Sequence, residues 1–187
     1  MQVLPHHSDR AGDRMERIRA ITDSDFEGGT PAYMDRVSRY GARGVVIDDQ
    51  RNVAMMYMSK RGLYKLPGGG LEEGEQAQAA FLREIREETG YEADVIQELG
   101  YIEEHKKAND FMQLSYCYIA KERGKAGSPT LTESESELGM AVCWMPIGQA
   151  IEVMKMGLSQ SGEKSRLFML LRDKTILELA LRALDEM

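Results

Sequence analysis

The chain has little cysteine, little histidine and no surplus of positive charge. Its 187 residues contain Cys117 and Cys143 and no C-x-x-C pair. That points to buried free thiols in a reducing, cytoplasmic setting rather than to a disulfide framework. His6, His7 and His105 form no metal-binding cluster, and His6-His7 falls in a polar tail. The formal net charge of −7 argues against a nucleic-acid polymer or an anionic membrane as a nonspecific partner. No apolar run approaches the ~20 residues of a membrane span. The first residues, MQVLPHHSDRAGDR, lack the apolar core of a secretory signal. Repeats and low-complexity tracts are absent too. What remains is an ordinary soluble composition, 42% hydrophobic and 29% charged, of a length that suits one domain.

One segment is far from ordinary. If residues 76–89 form a helix, Glu84, Glu87 and Glu88 stand at i, i+3 and i+4. That spacing puts three carboxylates on one face. Like charges so close repel and destabilise the helix unless something neutralises them. A hard divalent cation can do so. Mg²⁺ takes oxygen ligands in an octahedron, keeps several waters and commonly shares its shell with substrate phosphates. A carboxylate face with too few ligands to enclose a metal therefore implies a phosphate-bearing substrate. A solvated acidic helix face would show the same three glutamates, so the surrounding pattern must decide.

That pattern is long and specific. Gly69 is followed after five residues by Glu75, and after seven more by Arg83-Glu84-Ile85-Arg86-Glu87-Glu88-Thr89-Gly90-Tyr91. It resembles the Nudix box, G-x5-E-x7-R-E-U-x-E-E-x-G-U, where U is a bulky aliphatic residue, and so the Nudix hydrolase (MutT-like) family. Only Tyr91 departs from it, at a packing position. The glycines before the helix, Gly68-Gly69-Gly70, allow positive φ and close approach of the backbone to a ligand, though a flexible strand-to-helix turn would use them equally. Gly74 kinks the loop again. Gly90 falls where a helix C′ glycine is expected.

The resemblance implies a mixed α/β (α+β) fold: a mixed β-sheet sandwiched between helices, with a loop–helix–loop catalytic motif. It implies hydrolysis of a nucleoside diphosphate linked to another group, by water attack on a phosphorus of the pyrophosphate. The metal would be Mg²⁺, with Mn²⁺ suited to the same hard oxygens. Its ligands would be Glu84, Glu87, Glu88 and the Gly68 carbonyl. Glu75 and Arg83 would pair and brace them, since an Arg fork can hold a carboxylate bidentately. Glu84 would bind metal or take a proton from water; Glu88 also counts among the catalytic candidates. Some relatives draw the base from a later loop, here Glu133, Glu135 and Glu137, although that loop reads equally as solvated acid. Lys65 could meet a phosphate and Tyr64 stack on a base, though both would serve equally as surface residues; Glu135 and Glu137 would touch substrate, and Trp144 would pack in the core. Substrates within reach are a nucleoside triphosphate, possibly oxidised, or a nucleotide sugar such as ADP-ribose. Two further readings stand beside hydrolysis: a nucleotide sensor that binds without cutting, and a chiefly partner-binding protein. The intact set Glu75, Arg83, Glu84, Glu87 and Glu88 speaks against the sensor.

Along the chain, residues 1–39 read as an N-terminal extension and 40–187 as the domain. The extension holds a tail (1–13), an edge strand (14–22) and a short helix (30–38), capped by Thr30 with Pro31 at its first position. Residues 44–48 and 53–58 read as a hairpin around the polar turn 48–52. Residues 63–66 lead into the glycine run. A second hairpin, 93–104 with 111–120, places Met112, Leu114, Tyr116 and Tyr118 on one face. Residues 122–137 read as a polar loop and 141–145 as a strand. Helices follow at 147–156 and from about 163 to 184. The last has an apolar face of Leu167, Leu170, Leu171, Leu177, Leu181 and Leu184, suited to docking on its own domain or to a homodimer. The methionines Met55, Met56, Met58, Met112, Met154 and Met156 either fill core gaps or line an adaptable pocket.

Overall fold

The computed structural model describes residues 15–187; the tail 1–13, with its two histidines, and Arg14 lie outside the described residues. Strand β1 (Arg17–Thr22) lies at the sheet edge, as its sequence predicts. It runs parallel to β6 (Tyr91–Lys106). Strands β2 (Arg39–Ile47) and β3 (Asn52–Met58) form the first hairpin. Asp48 closes the turn between them. Its carboxylate accepts the backbone N–H groups of Gln50 and Asn52, each at 2.8 Å, and the Asn52 side-chain amide at 2.9 Å. Short polar side chains that bond nearby backbone favour turns over continued strand.

Strand β4 (Leu63–Lys65) pairs with β3, and helix α2 (Ala77–Thr89) follows the glycine segment. The left-handed Gly90 (φ 75°) ends α2 and donates its N–H to the Arg86 carbonyl. Strand β7 (Phe111–Lys125) folds back on β6 and also runs parallel to β2. Strand β8 (Met140–Pro146) pairs with β3 and leads into α4 (Ile147–Gln160) and α5 (Lys164–Asp185). Helix α2 covers one face of the mixed sheet, where Ala80, Phe81 and Ile85 meet Ala42, Val46 and Tyr118. Helices α4 and α5 cover the other, where Met154, Phe168, Leu177 and Leu184 join Val45, Met55 and Ile119. Successive residues of β2 and β7 alternate between the two cores, as a period-two strand must.

Of the apolar face of α5, Leu170, Leu177 and Leu184 are buried in the second of these cores and Leu171 and Leu181 pack against it, and β1 belongs to the same sheet as the rest. Met55, Met56, Met58, Met112 and Met154 are buried, whereas Met156 is 57% exposed. Cys117 and Cys143 are free thiols; Cys117 is buried as expected, whereas Cys143 is only partly so. Tyr91 packs edge-on against Trp144, with ring centroids 5.4 Å apart, so its aromatic ring fills the packing position usually held by an aliphatic side chain. Among the described residues no helix is long and apolar enough to cross a membrane.

Three expectations need correction. Residues 30–38 are not helical; the short helix of this region is α1 (Ser24–Glu27). Tertiary bonds take the backbone of 30–38 instead: Met34 N–H donates to His105 Nδ1 at 2.9 Å and Ser38 N–H to the Met112 carbonyl at 2.8 Å. A helix that short is marginal on its own, so such contacts win. The glycine segment is a strand, β5 (Gly68–Gly70), rather than a free turn. Residues 122–137 are not all loop: β7 runs to Lys125, and Thr132 caps helix α3 (Glu133–Glu137) through a reciprocal capping box with Glu135.

The pairing of β2 decides where a ligand can enter. Its first half, Gly41–Arg43, pairs with β5, while Ile47 pairs with Val53 of β3. The sheet opens at this fork, and a cavity of about 720 Å³ lies there.

Candidate active site

The site is assembled on β5. A Cβ on Gly68 would lie 2.4 Å from the Ala42 carbonyl oxygen, and one on Gly69 would lie 2.3 Å from Glu84 Oε1. Only glycine lets α2 bring its carboxylate this close to the backbone. Before the helix, Gly74 (φ 74°) turns the chain so that the Glu75 carboxylate accepts the Glu72 N–H at 2.9 Å.

Arg83 is the hub. Its Nε and Nη2 grip the two Glu75 oxygens at 2.8 and 3.0 Å, the fork its position implies. Nη2 also reaches the Gly70 carbonyl at 3.1 Å, which ties α2 to β5. Nη1 donates to Glu84 at 3.0 Å and to Glu87 at 3.1 Å. The hydrogen bonds that Arg83 donates to Glu75 hold the Glu75 carboxyl below its ordinary value and push the Arg83 value up. Burial raises Glu84, against the pull of Arg83.

Glu84 and Glu87 line the cavity, and each keeps one carboxylate oxygen without a protein donor among the described residues. Glu88 does not line it. This carboxylate is 1% exposed and accepts Lys65 Nζ at 2.5 Å and the Gly68 N–H at 3.0 Å. Burial raises its pKa, with Lys65 opposing. Among the described residues no three Asp, Glu, His or Cys side chains converge around one point. Of the four expected ligands, Glu84, Glu87 and Gly68 meet the cavity; all three offer oxygen, and that chemistry fits a hard divalent cation. Glu88 would join them only by giving up Lys65.

The other expected contacts divide cleanly. Lys65 lines the cavity. Tyr64 does not: it packs against Tyr57 (centroids 4.6 Å apart) and borders a separate apolar cleft with Val153 and Met154. Adjacent residues of a strand face opposite sides, so Lys65 and Tyr64 could not both serve. Glu135 lines the cavity, and Glu133 and Glu137 do not. The capping box ties the Glu135 carboxylate to the Thr132 N–H, while the Thr130 N–H donates to the Glu87 carbonyl at 2.8 Å and seats the loop on α2.

The other wall is one that motif reasoning missed: Arg39, Arg43, Gln113, Met169 and Arg172. Arg43 is 6% exposed and Arg172 5%. Arg172 donates to Glu104 at 3.1 Å and to Asp173 at 2.8 Å. Burial lowers the Arg43 pKa to about 10, helped by the charge of Arg172. A signal was available: Arg43 interrupts the apolar run Gly41–Ile47, and Arg172-Asp173 interrupts the leucine-rich helix. Charges at buried positions mark pairing or function.

Comparison with known proteins agrees with this architecture. The NUDIX domain family model matches residues 37–165, more than half of the chain. A CMP-5'-(N-acetyl-N-hydroxy-3-aminopropyl)phosphonate hydrolase of Streptomyces rubellomurinus is 27% identical over 143 residues, 74% of this chain and 66% of that protein. Nudix hydrolase 7 of Arabidopsis thaliana is 30% identical over 122 residues, 60% of this chain and 40% of that protein. The chain thus spans less than two thirds of either relative. Among solved structures, a NUDIX hydrolase from Nitrosomonas europaea superposes with a TM-score of 0.53 at 19% identity, covering 72% of this chain and 86% of that one. A UDP-X diphosphatase gives 0.53 at 18%, covering 87% and 70%. These two likenesses speak to the fold alone.

Proposed function

The chain belongs to the Nudix family, and from that premise we propose that it is a divalent-metal-dependent hydrolase that cuts the pyrophosphate linkage of a nucleoside diphosphate joined to a second group. One observation carries the reading. Arg83 Nη1 holds the Glu84 and Glu87 carboxylates side by side on the wall of a cavity large enough for a nucleotide, and each keeps an oxygen free for a cation.

Glu84, Glu87 and the Gly68 carbonyl would hold the metal. Bound there, Mg²⁺ or Mn²⁺ would neutralise phosphate oxygens and lower the pKa of the attacking water. The protein supplies position. Glu75 anchors Arg83, and Arg83 fixes the two glutamates against β5. Glu88 acts as a positioning residue, holding Lys65 and the Gly68 N–H. Lys65 borders the cavity beside Gly68 and is the cation on this side for a phosphate oxygen. Of the glutamates in the later segment, Glu135 is the one that reaches the cavity, so it is our candidate for accepting the proton of water.

The test is phosphate release from a panel of nucleoside triphosphates, oxidised triphosphates, ADP-ribose and other nucleotide sugars, dinucleoside polyphosphates and dinucleotide cofactors. Each reaction runs with Mg²⁺ or with chelator, and with or without added phosphatase. Mg²⁺-dependent release is expected. A signal only with phosphatase identifies phosphomonoester or pyrophosphate products. Silence across the panel, from folded protein with metal bound, would overturn hydrolysis in favour of binding without turnover.

A further inference from the structure

Two of the cations that line the cavity have no carboxylate partner among the described residues. Lys65 is matched by Glu88, Arg83 by Glu75, and Arg172 by Glu104 and Asp173. Arg43 is buried, yet only its Nε–H is taken, by Ser115 Oγ at 3.2 Å. Among the described residues its terminal nitrogens have no acceptor, and no carboxylate lies within 4.0 Å of Arg43 or Arg39. A guanidinium carries five N–H donors, so four of those on Arg43 are left over. Glu104 and Asp173 attract Arg43 through space, but neither hydrogen-bonds it, so its remaining donors face the cavity open to a ligand anion.

The backbone presents these groups together. Arg39, Gly41 and Arg43 share one face of β2, two residues apart at each step. A side chain at position 41 would crowd Arg43, since a Cβ there lies 3.3 Å from Arg43 Nη2. Glycine keeps the space between the two guanidiniums open. Ser115 Oγ also accepts the Gln113 amide at 3.1 Å, which fixes a further polar side chain of the same wall. No aromatic ring lines the cavity among the described residues, so this wall offers charge rather than a stacking platform.

We propose that Arg39 and Arg43 form an anion subsite on the far side of β5 from Glu84 and Glu87. The preferred substrate then carries a further anionic group, a phosphate or a carboxylate, beyond the two phosphates that flank the scissile linkage. The inference rests on the hydrolase reading above. It favours a nucleoside triphosphate, or a nucleotide-linked sugar acid, over a nucleotide joined to a neutral sugar. A neutral group would leave the terminal nitrogens of Arg43 without a hydrogen-bonding anion.

Matched substrates test it. UDP-glucuronate against UDP-glucose differs by one carboxylate; GTP against GDP-mannose exchanges a phosphate for a neutral sugar. In at least one pair the anionic member should be favoured about tenfold or more in kcat/KM, the size expected of a hydrogen bond to a charged group. Which pair shows it tells phosphate from carboxylate. Arg39→Ala, at an exposed position, and Arg43→Lys should each cost the anionic member about tenfold more than the neutral one. Equal losses on both, or a preference for the neutral member, would overturn the subsite. If none of the four is cut, the hydrolase reading is judged on the wider panel, and calorimetry with tripolyphosphate decides the subsite alone. Binding that weakens in Arg39→Ala keeps it, and binding that is absent or unchanged in the variant overturns it.

Discussion

The Asp173 carboxylate, on the last helix, accepts the Leu66 N–H at 2.8 Å across 107 positions of chain. Its other oxygen holds Arg172 at 2.8 Å. The residue is fully buried. One side chain thus joins α5 to the backbone that enters the glycine strand. Asp173→Ala should destabilise the fold by roughly 3–5 kcal/mol, because it leaves a buried N–H unmatched and takes one of two carboxylates from a buried guanidinium. Chemical denaturation measures this. Asp173→Asn should cost less. A wild-type midpoint in Asp173→Ala would show that α5 does not brace the site.

Arg83→Lys should nearly abolish turnover while the protein stays folded. A lysine supplies one point charge and cannot grip Glu75, Glu84, Glu87 and the Gly70 carbonyl together. Steady-state kinetics and circular dichroism check the two halves of the statement. Activity within threefold of wild type would remove Arg83 from the hub.

Glu87→Gln keeps the size of the side chain and removes its charge. We expect a drop of about a hundredfold or more in kcat, on the scale seen when a group that acts only in the transition state is lost. Chelation should silence the wild type, and re-added Mg²⁺ or Mn²⁺ should restore it. A Glu87→Gln protein as fast as wild type would sink the metal-site assignment.

Gly69→Ala places a methyl where Glu84 Oε1 now lies. The φ of Gly69 is not among the positive values, so the backbone can accept alanine and the carboxylate must move. The expected result is a folded protein with activity lowered about tenfold or more, since small misplacement of a catalytic group is costly. Unchanged kcat would mean that Glu84 need not sit against β5.

Glu104 gives a pH dependence with a definite sign. Burial pushes its carboxyl up, but Arg172, Lys106 and Arg43 outweigh it and hold it below the ordinary value of 4.5. A depressed folded value contributes stability that is fully present above the unfolded value and is lost as pH falls through the folded one. Glu104→Gln should therefore flatten the fall in the urea midpoint between about pH 5 and pH 3. An unaltered slope would show that this carboxylate does not drive acid unfolding.

Local pattern was enough for much of this protein. The period of the glutamates, the glycine at the end of α2, the Asp48 turn and the two hairpins are set by residues near in sequence, where spacing alone fixes which side chains meet. The Arg83–Glu75 fork belongs here too, since eight residues within one loop and helix separate the pair. What the sequence could not decide was the partner of each charge. Glu88 reads as a third carboxylate of the metal face, yet the fold buries it against Lys65 and Gly68. Tyr64 and Lys65 read as neighbours, and the pleat sends them to opposite faces. Residues 30–38 carry a helix signal, and bonds to β6 and β7 override it. Above all, the wall of Arg39, Arg43 and Arg172 draws on β2 and α5, and only the packed sheet brings them together. Helix periodicity and turn chemistry act over a few residues. The burial and pairing of a charge depend on what the rest of the chain lays over it, and that is settled by tertiary packing.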